Sequence, residues 1–554
     1  MKNYFAKCLI FCCLMSMAGC INDLNVTPID PNKHTAEKVY KSEEDLMSGL
    51  GKLYNGLSHT GQYGPAGDQD LDDVDEGTSN YWRTYWNIQE LSTDEAINGW
   101  NDNGLDELNY GLVNASNLIT RAMYYRLVYE VVLTNEFIRK AEEVRKPSWK
   151  NVPQMIAEAR FLRALSYYNC LELFGNGVPF VTEADPIGSF LPKPAGKQFG
   201  HELFDYIEKE LRAISGLDDS DAQLADARQG YIGRADKGAA LALLAKLYLN
   251  HKSFFSEDGQ VENADYYQKG AQVIDLLTTA GYGVVAKADL PANAKFSAYQ
   301  SLFLADNQNQ QKEIMFQLSY DGRYMQSWGG ATFLTCGAIL NNMNAAYFGV
   351  NEGWNGTRGL WNLYHNFHQK TDLRAQADSI FYTQGRQIDG PIDLKDANTG
   401  FGVGKFRNVN IDGTLATNDG KNVMVDVNIP VFRYADVILM AAEFDLRLGK
   451  SVSANHLALI NELQKRAGNR EISSSSAIDL DWILQERGRE LYWEGCRRTD
   501  LIRFNKYTSG TAPYVWAYKG GQVNGRALPM QARWLPIPAS DISANPNIIQ
   551  NKGY

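Results

Sequence analysis

Two stretches of this chain set flat aromatic side chains beside amide and guanidinium groups. The first holds Trp82, Arg83, Trp86, Asn98, Trp100 and Asn103; the second holds Tyr324, Trp328, Asn351, Trp354, Asn355 and Arg358. An aromatic plate packs on the apolar C–H face of a pyranose or furanose ring, and amide and guanidinium groups take the hydroxyls at its edge. Any one Trp is as readily a core plug or a partner contact. Two such mixtures, both in sequence with little helical period, point together to a sugar ligand.

Other groupings fail as chemistry. Gly449-Lys450-Ser451 has the ending of a phosphate-binding loop, but Phe444 stands where the first glycine belongs, so a helix C-cap is the reading. Gly400, Gly402 and Gly404 lack the strand and the acid of a dinucleotide fingerprint. His365 and His368 lie one helical turn apart with no third ligand in view, which makes them surface residues and the expected metal set empty. Asp68, Asp70, Asp72, Asp73, Asp75 and Glu76 alternate oxygens as a calcium loop does, yet Asp73 replaces the turn glycine and Ser79 the closing glutamate. A solvated acidic loop is the reading; calcium completed by distant residues stays open, and no other cofactor is expected. Glu486, Glu490 and Glu494 would line one face of a helix, as paired carboxylates do in glycoside hydrolysis. Arg487, Arg489, Arg497, Arg498 and Arg503 beside them would hold those carboxylates ionised, so a structural charge network is expected and no enzyme. The pair Glu494 and Arg498 also has the order that favours an i,i+4 helix contact.

The elements that must position the two clusters are helical. Amphipathic or Ala-rich patterns run over 114–146, 155–168, 201–214, 236–249, 264–279, 435–448 and 454–467, and small Ala residues beside Leu and Tyr match tetratricopeptide-like helix pairs. The predicted class is all-α. A helical-pair scaffold spans about 114–290 and 429–505, and ligand-binding loops about 68–104 and 291–427, within one domain from 35 to 554.

The N-terminus sets the compartment. Lys2 and Lys7 precede an apolar run that is too short to span a bilayer and closes on Ala18-Gly19-Cys20, the layout of a lipoprotein signal over 1–19 with Cys20 as the lipidated residue and 20–34 as tether. Cys170, Cys336 and Cys496 then remain, an odd number with no paired spacing, so a core and not disulfides must supply stability. A net charge of −11 argues against nucleic acid and against an electrostatically held anionic membrane, and fits neutral ligands.

Glu158-Ala-Arg-Phe-Leu-Arg-Ala-Leu-Ser-Tyr-Tyr, Ile429-Pro-Val-Phe-Arg-Tyr-Ala-Asp, Ile460-Asn-Glu-Leu-Gln-Lys-Arg-Ala, the segment Glu486 to Phe504 and the ending from Ile537 to Tyr554 follow one another in this order. Together they resemble the SusD/RagB family of outer-membrane nutrient-binding lipoproteins of Bacteroidetes. The resemblance implies a helical-pair fold, binding without catalysis, and a SusC-like TonB-dependent outer-membrane transporter as partner, over which the binding protein sits as a lid. Asp75-Glu-Gly-Thr-Ser, Tyr81-Trp-Arg-Thr, Glu90-Leu-Ser-Thr-Asp-Glu, Gly233-Arg-Ala-Asp-Lys and Gly329-Gly-Ala-Thr-Phe-Leu-Thr-Cys-Gly are similar to the family's starch-binding founder. On that resemblance Arg83, Trp100, Asn103 and Trp328 fall on ligand positions, Trp354 on an additional contact, and Asn98 stands where the founder has a Trp. The resemblance implies capture of a neutral oligosaccharide or polysaccharide, starch-type α-glucan first. A fructan or other neutral glycan is the alternative, and a transporter-gating interaction protein without glycan selectivity is the alternative of a different class.

Overall fold

The computed structural model describes residues 39–61, 69–175, 178–186, 201–255, 263–367, 371–416, 420–510 and 513–554. The signal, Cys20 and the tether lie outside the described residues. The chain is mostly helical, as predicted, with three two-stranded ribbons among the described residues.

Helix α1 (Glu43–Gly56) opens on a capping box between Ser42 and Asp45 and turns Leu46, Leu50 and Leu53 inward. A short helix α2 (Tyr81–Trp86) runs into one π turn, Asn87–Leu91, and then strand β1 (Ala96–Asn98) and helix α3 (Leu105–Tyr110) follow. The scaffold proper is α4 (Leu118–Val144), α5 (Val152–Phe174), α6 (His201–Ile214), α7 (Lys237–Leu249) and α8 (Ala264–Thr279), each packed on the next. Position in the stack explains composition. Helices α5 and α7 are buried on nearly every side, whereas α6, though it packs on both, turns only a stripe inward, including Leu203, Ile207 and Leu211.

The insertion predicted to be short of helical period holds small elements: β2 (Ile314–Leu318), α9 (Gly330–Gly337), β3 (Thr357–Gly359) and α10 (Trp361–Asn366). The chain returns to the scaffold through β4 (Ile429–Arg433), which pairs antiparallel with β2, and then α11 (Tyr434–Arg447), α12 (Ala454–Arg466), α13 (Leu480–Glu490) and α14 (Arg497–Arg503). Helix α11 closes on α8 across Gly270, where a Cβ would lie 2.2 Å from the Phe444 ring. Gly449 does act in the helix end: it adopts φ +72° just past α11 and its N–H returns to Leu446.

The helix expected to carry Glu486, Glu490 and Glu494 is broken. It stops at Glu490, Trp493 and Gly495 take φ +62° and +74°, and helix resumes at Arg497. The predicted Glu494–Arg498 contact is therefore absent: Arg498 donates to the carbonyls of Ala532 and Arg533, and Glu494 pairs with Lys405 and Arg433.

The expected charge network forms: Arg489 pairs with Glu486 at 2.7 Å, and arginines from outside the segment join it. Arg374 bonds Asp372, Glu486 and Glu490; Arg433 bonds Glu313 at 2.7 Å, Glu490 at 3.1 Å and Glu494 at 2.6 Å; Arg466 bonds Glu313 and Glu490. All are buried. Burial alone would raise the Glu490 carboxyl, but Arg466, Arg433 and Arg374 outweigh it and hold the group down at about 2. Burial is likewise outweighed at Glu443, where Arg503 and Arg447 hold the carboxyl at about 2.

Removing one member of a completed buried network strands the others, so Arg433→Ala should lower stability in urea at pH 7 by ~3–5 kcal/mol. Arg212→Ala, which breaks the solvent-facing pair with Asp218, should cost under ~1 kcal/mol. Because the folded-state pKa of Glu490 and Glu443 lies below the unfolded value of ~4.3, their contribution is complete above pH ~4.3 and is lost as pH falls toward 2. Urea midpoints measured down this range should fall accordingly, and less steeply in Glu443→Gln.

Candidate ligand-binding platform

Three of the predicted aromatics come together. Trp100, just past β1, lies 6.3 Å from Trp354, just before β3, and Trp354 lies 6.0 Å from Trp328, just before α9. The rings are tilted by 47° and 54° from one to the next, so they form a bent strip and not a flat one. Trp328 is 37 % exposed, and Trp100 and Trp354 are half-buried.

Backbone pairing sets the strip. In the β1–β3 ribbon Ala96 faces Gly359 and Asn98 faces Thr357, which brings the segments carrying Trp100 and Trp354 to the same end. The N–H groups of Trp354, Asn355 and Gly356 donate to the carbonyls of Cys336, Ile339 and Gly337 at the end of α9. The Trp100 Nε1 donates to the Trp354 carbonyl at 3.2 Å, and its ring lies over Gly356, where a Cβ would come within 2.2 Å of it. Trp328 is held by its own N–H, which donates to Glu76 at 2.8 Å, while the other Glu76 oxygen accepts from Thr60. At the next residue, Gly329, a Cβ would meet Asn80 at 2.2 Å.

Behind the strip stands Phe333 of α9. Its ring touches Trp100 at 6.0 Å and Trp86 at 5.6 Å, and the Arg83 guanidinium sits 4.9 Å above it and 5.5 Å from Trp100. Arg83 donates to Asp102 at 3.0 Å. Burial lowers the Arg83 pKa from its usual value, against the pull of Asp102. Asn101, Asp102 and Asn103 are exposed on the loop ahead of α3. Lys395 reaches in from the insertion to the Trp100 carbonyl and to Asp106.

Several predicted residues have other duties. Asn98 is fully buried; its Oδ1 accepts the Trp100 N–H at 2.9 Å and its Nδ2 donates to Thr357 at 3.0 Å, so it orients Trp100 instead of facing a ligand. All of β1 is buried, a fact that residue type alone does not carry. Trp82 and Trp86 are core, Trp86 donating to the Trp493 carbonyl. Arg358 is 1 % exposed and binds the carbonyls of Asp393 and Leu394 among others, closing a loop. Asn355 uses φ +53° and accepts from Asn341, and Tyr324 leaves the strip to line a separate cavity with Tyr54 and Ile232. Asn351 is exposed.

The acidic run also serves the protein. Asp70 pairs with Arg126 at 2.6 Å, Asp75 caps the turn at Thr78, and Glu76 holds Trp328; Asp68 lies outside the described residues. His365 contacts Asp389, and His368 lies outside the described residues. Sequence reasoning missed Phe333, Asp102 and Lys395. Asp102, next to a predicted Asn and two residues after Trp100, was the one with a local signal.

The chain was compared with known proteins. The family described as "SusD family" matches residues 252–554, and that described as "Starch-binding associating with outer membrane" matches 68–249. The "Starch-binding protein SusD" of Bacteroides thetaiotaomicron is 31% identical over 596 residues, covering 100% of this chain and 99% of its own length. A "SusD-like protein" of Bacteroides ovatus is 23% identical, covering 84% and 77% of the two chains. Among solved structures, a SusD superfamily protein from Parabacteroides distasonis matches with a TM-score of 0.67 at 21% identity, over 94% of this chain and 100% of its own. "Surface glycan-binding protein A" from Bacteroides thetaiotaomicron, solved with laminarihexaose, matches at 0.65 and 17%, over 92% and 99%, and shares the fold.

Asn98→Ala removes the acceptor for the Trp100 N–H and strands a buried donor, a loss of about 1–3 kcal/mol. The expected readout is a matching fall in urea stability together with greater acrylamide quenching of tryptophan fluorescence, as Trp100 loosens.

Proposed function

This chain belongs to the SusD family, and from that membership we propose that it is a cell-surface glycan-binding lipoprotein. It captures a neutral oligosaccharide or polysaccharide, starch-type α-glucan first, and delivers it to a SusC-like TonB-dependent transporter. Cys20 carries the lipid that holds it at the outer membrane; among the described residues no helix is long and apolar enough to cross a membrane.

The observation that carries this reading is the bent strip Trp100–Trp354–Trp328. A flat, ribbon-like glycan would favour coplanar plates; plates tilted by about 50° in succession suit a polymer that curls, as an α-1,4-glucan does. Curvature alone also suits a β-1,3-glucan. The full-length relative named for starch binding favours the α-glucan, whereas the laminarihexaose-bound neighbour is similar in fold only.

Two observations support binding without turnover. The carboxylates that could have served hydrolysis, Glu486 and Glu490, are buried against Arg374, and Asp102 at the strip is paired with Arg83. A general acid needs a proton at working pH, and Glu490 is held at about 2.

The test is affinity electrophoresis of the chain from residue 21 onward in gels of amylopectin, laminarin, levan, inulin or xylan, with calorimetry on maltoheptaose. Retardation should be strongest in amylopectin, and Trp100→Ala and Trp328→Ala should each weaken maltoheptaose at least ~10-fold, about 1.4 kcal/mol. Unchanged affinity in both variants would refute the site, retardation confined to another gel would refute the α-glucan, and new reducing ends would refute pure binding.

A further inference from the structure

The β1–β3 ribbon has a second end. There the Leu360 N–H donates to the Glu95 carbonyl, and the chain runs on into α10, which begins at Trp361. A cavity of about 630 Å³ opens at this end, walled by Trp361, His365, Tyr514 and Val515 with Asp94 and Arg497 among its remaining lining.

Its chemistry repeats that of the tryptophan strip. Trp361 is 36 % exposed, and its ring is braced edge-on by His365 at 5.5 Å. His365 is itself held by Asp389 at 2.7 Å, and the Tyr514 hydroxyl by Gln485 at 2.8 Å, so the aromatic walls are fixed. Asn362 also lines the cavity, and its Oδ1 is buried without a hydrogen-bond partner among the described residues. An orphaned amide oxygen calls for a donor, and a ligand hydroxyl is one. Arg497 is already taken: it grips both oxygens of Asp94, at 2.7 and 2.8 Å, and lies 3.5 Å from Glu95, the other carboxylate of the lining, so it offers no free cation to an anionic ligand.

We propose that this cavity is a second carbohydrate-binding site, taking a ring of the same neutral polysaccharide that the tryptophan strip holds. The proposal rests on the reading of the strip as a glycan site. Trp354 and Trp361 are joined by six residues through β3, so their backbones are separated by no more than ~25 Å of extended chain, a reach of a few sugar rings. A polymer engages both sites at once, the second contact becoming intramolecular, whereas a short oligosaccharide fills the strip alone.

The experiment compares the parent with Trp361→Ala and Asn362→Ala, in amylopectin and the other gels and by calorimetry with maltotriose. Both substitutions lie at the cavity surface, and equal thermal midpoints would show intact folding. The expected result is at least ~10-fold weaker retention by the polysaccharide in Trp361→Ala, a smaller loss in Asn362→Ala, and maltotriose affinity within about twofold of the parent. Parental retention of the polysaccharide by Trp361→Ala would overturn the second site and leave the strip untouched. If the parent is retained by no neutral polysaccharide, both readings fall. If Trp361→Ala lowers maltotriose affinity as much as polysaccharide retention, the cavity is part of one continuous site and the bivalent proposal is overturned.

Discussion

The fold depends on a dry meeting of charges at Glu490. Three arginines from three separate parts of the chain converge on this carboxylate: Arg374 from the insertion, Arg433 at the end of β4 and Arg466 at the end of α12. Desolvating such groups is costly, and their mutual attraction offsets the cost only when the set is complete. Completeness is therefore the constraint. Glu313, Glu486, Glu494 and Asp372 supply the remaining carboxylates, and Lys405 adds a cation stacked 4.0 Å over Tyr492. Each residue is worth its place only with the others there, and that ties the loop-rich insertion to the helical scaffold.

From this centre rigidity passes outward to the strip. Immediately beyond Glu490 the chain must reverse to deliver Glu494 to Arg433, and it does so with Trp493 and Gly495 in the left-handed region. The turn is held from below by Glu95 and Glu90, which accept the N–H groups of Trp493 and Gly495. It lays the Trp493 ring 5.2 Å from Trp86, Trp86 meets Phe333, and Phe333 supports Trp100 and Arg83. Plates braced this way lose little further freedom on meeting a ligand, which keeps the entropic cost of binding low.

What the sequence disclosed and what it hid follow the range of the interactions involved. Helical periods are local, so the helices of the scaffold were legible along with their near boundaries, and so was the C-cap at Gly449. That many arginines would neutralise Glu486 and Glu490 was legible as a balance of charge, but of the neighbours in sequence only Arg489 reaches Glu486, and the partners of Glu490 are distant, because a long-range pairing leaves no spacing to read. The same limit explains Trp82 and Trp86, whose composition is that of a binding plate and whose place is the core. Asn98 shows it most sharply: a polar residue among aromatics reads as a ligand contact, and only the pairing of β1 with β3 turns it inward to hold Trp100. Trp361 was passed over because the walls of its cavity come from residues far apart in the chain.

The electrostatics of the binding surface then follow from the same rule of completed pairs. The cations near the strip already have anions: Arg83 has Asp102, and Lys395 has Asp106. Arg358, which sequence alone would assign to a ligand, is buried against backbone carbonyls. A ligand bearing carboxylates or sulfates would find no unpaired cation among these groups and would approach a chain of net charge −11. A ligand bearing cations would have to compete with Arg83 and Lys395 for acids they already hold. What the strip offers without opposition is apolar ring area, and hydrogen bonds from a surface such as that around Asn103. A neutral polyhydroxylated ring is the chemistry that uses both, so on the proposed reading of the strip the pairing of the protein's own ions would disfavour charged glycans without a further residue.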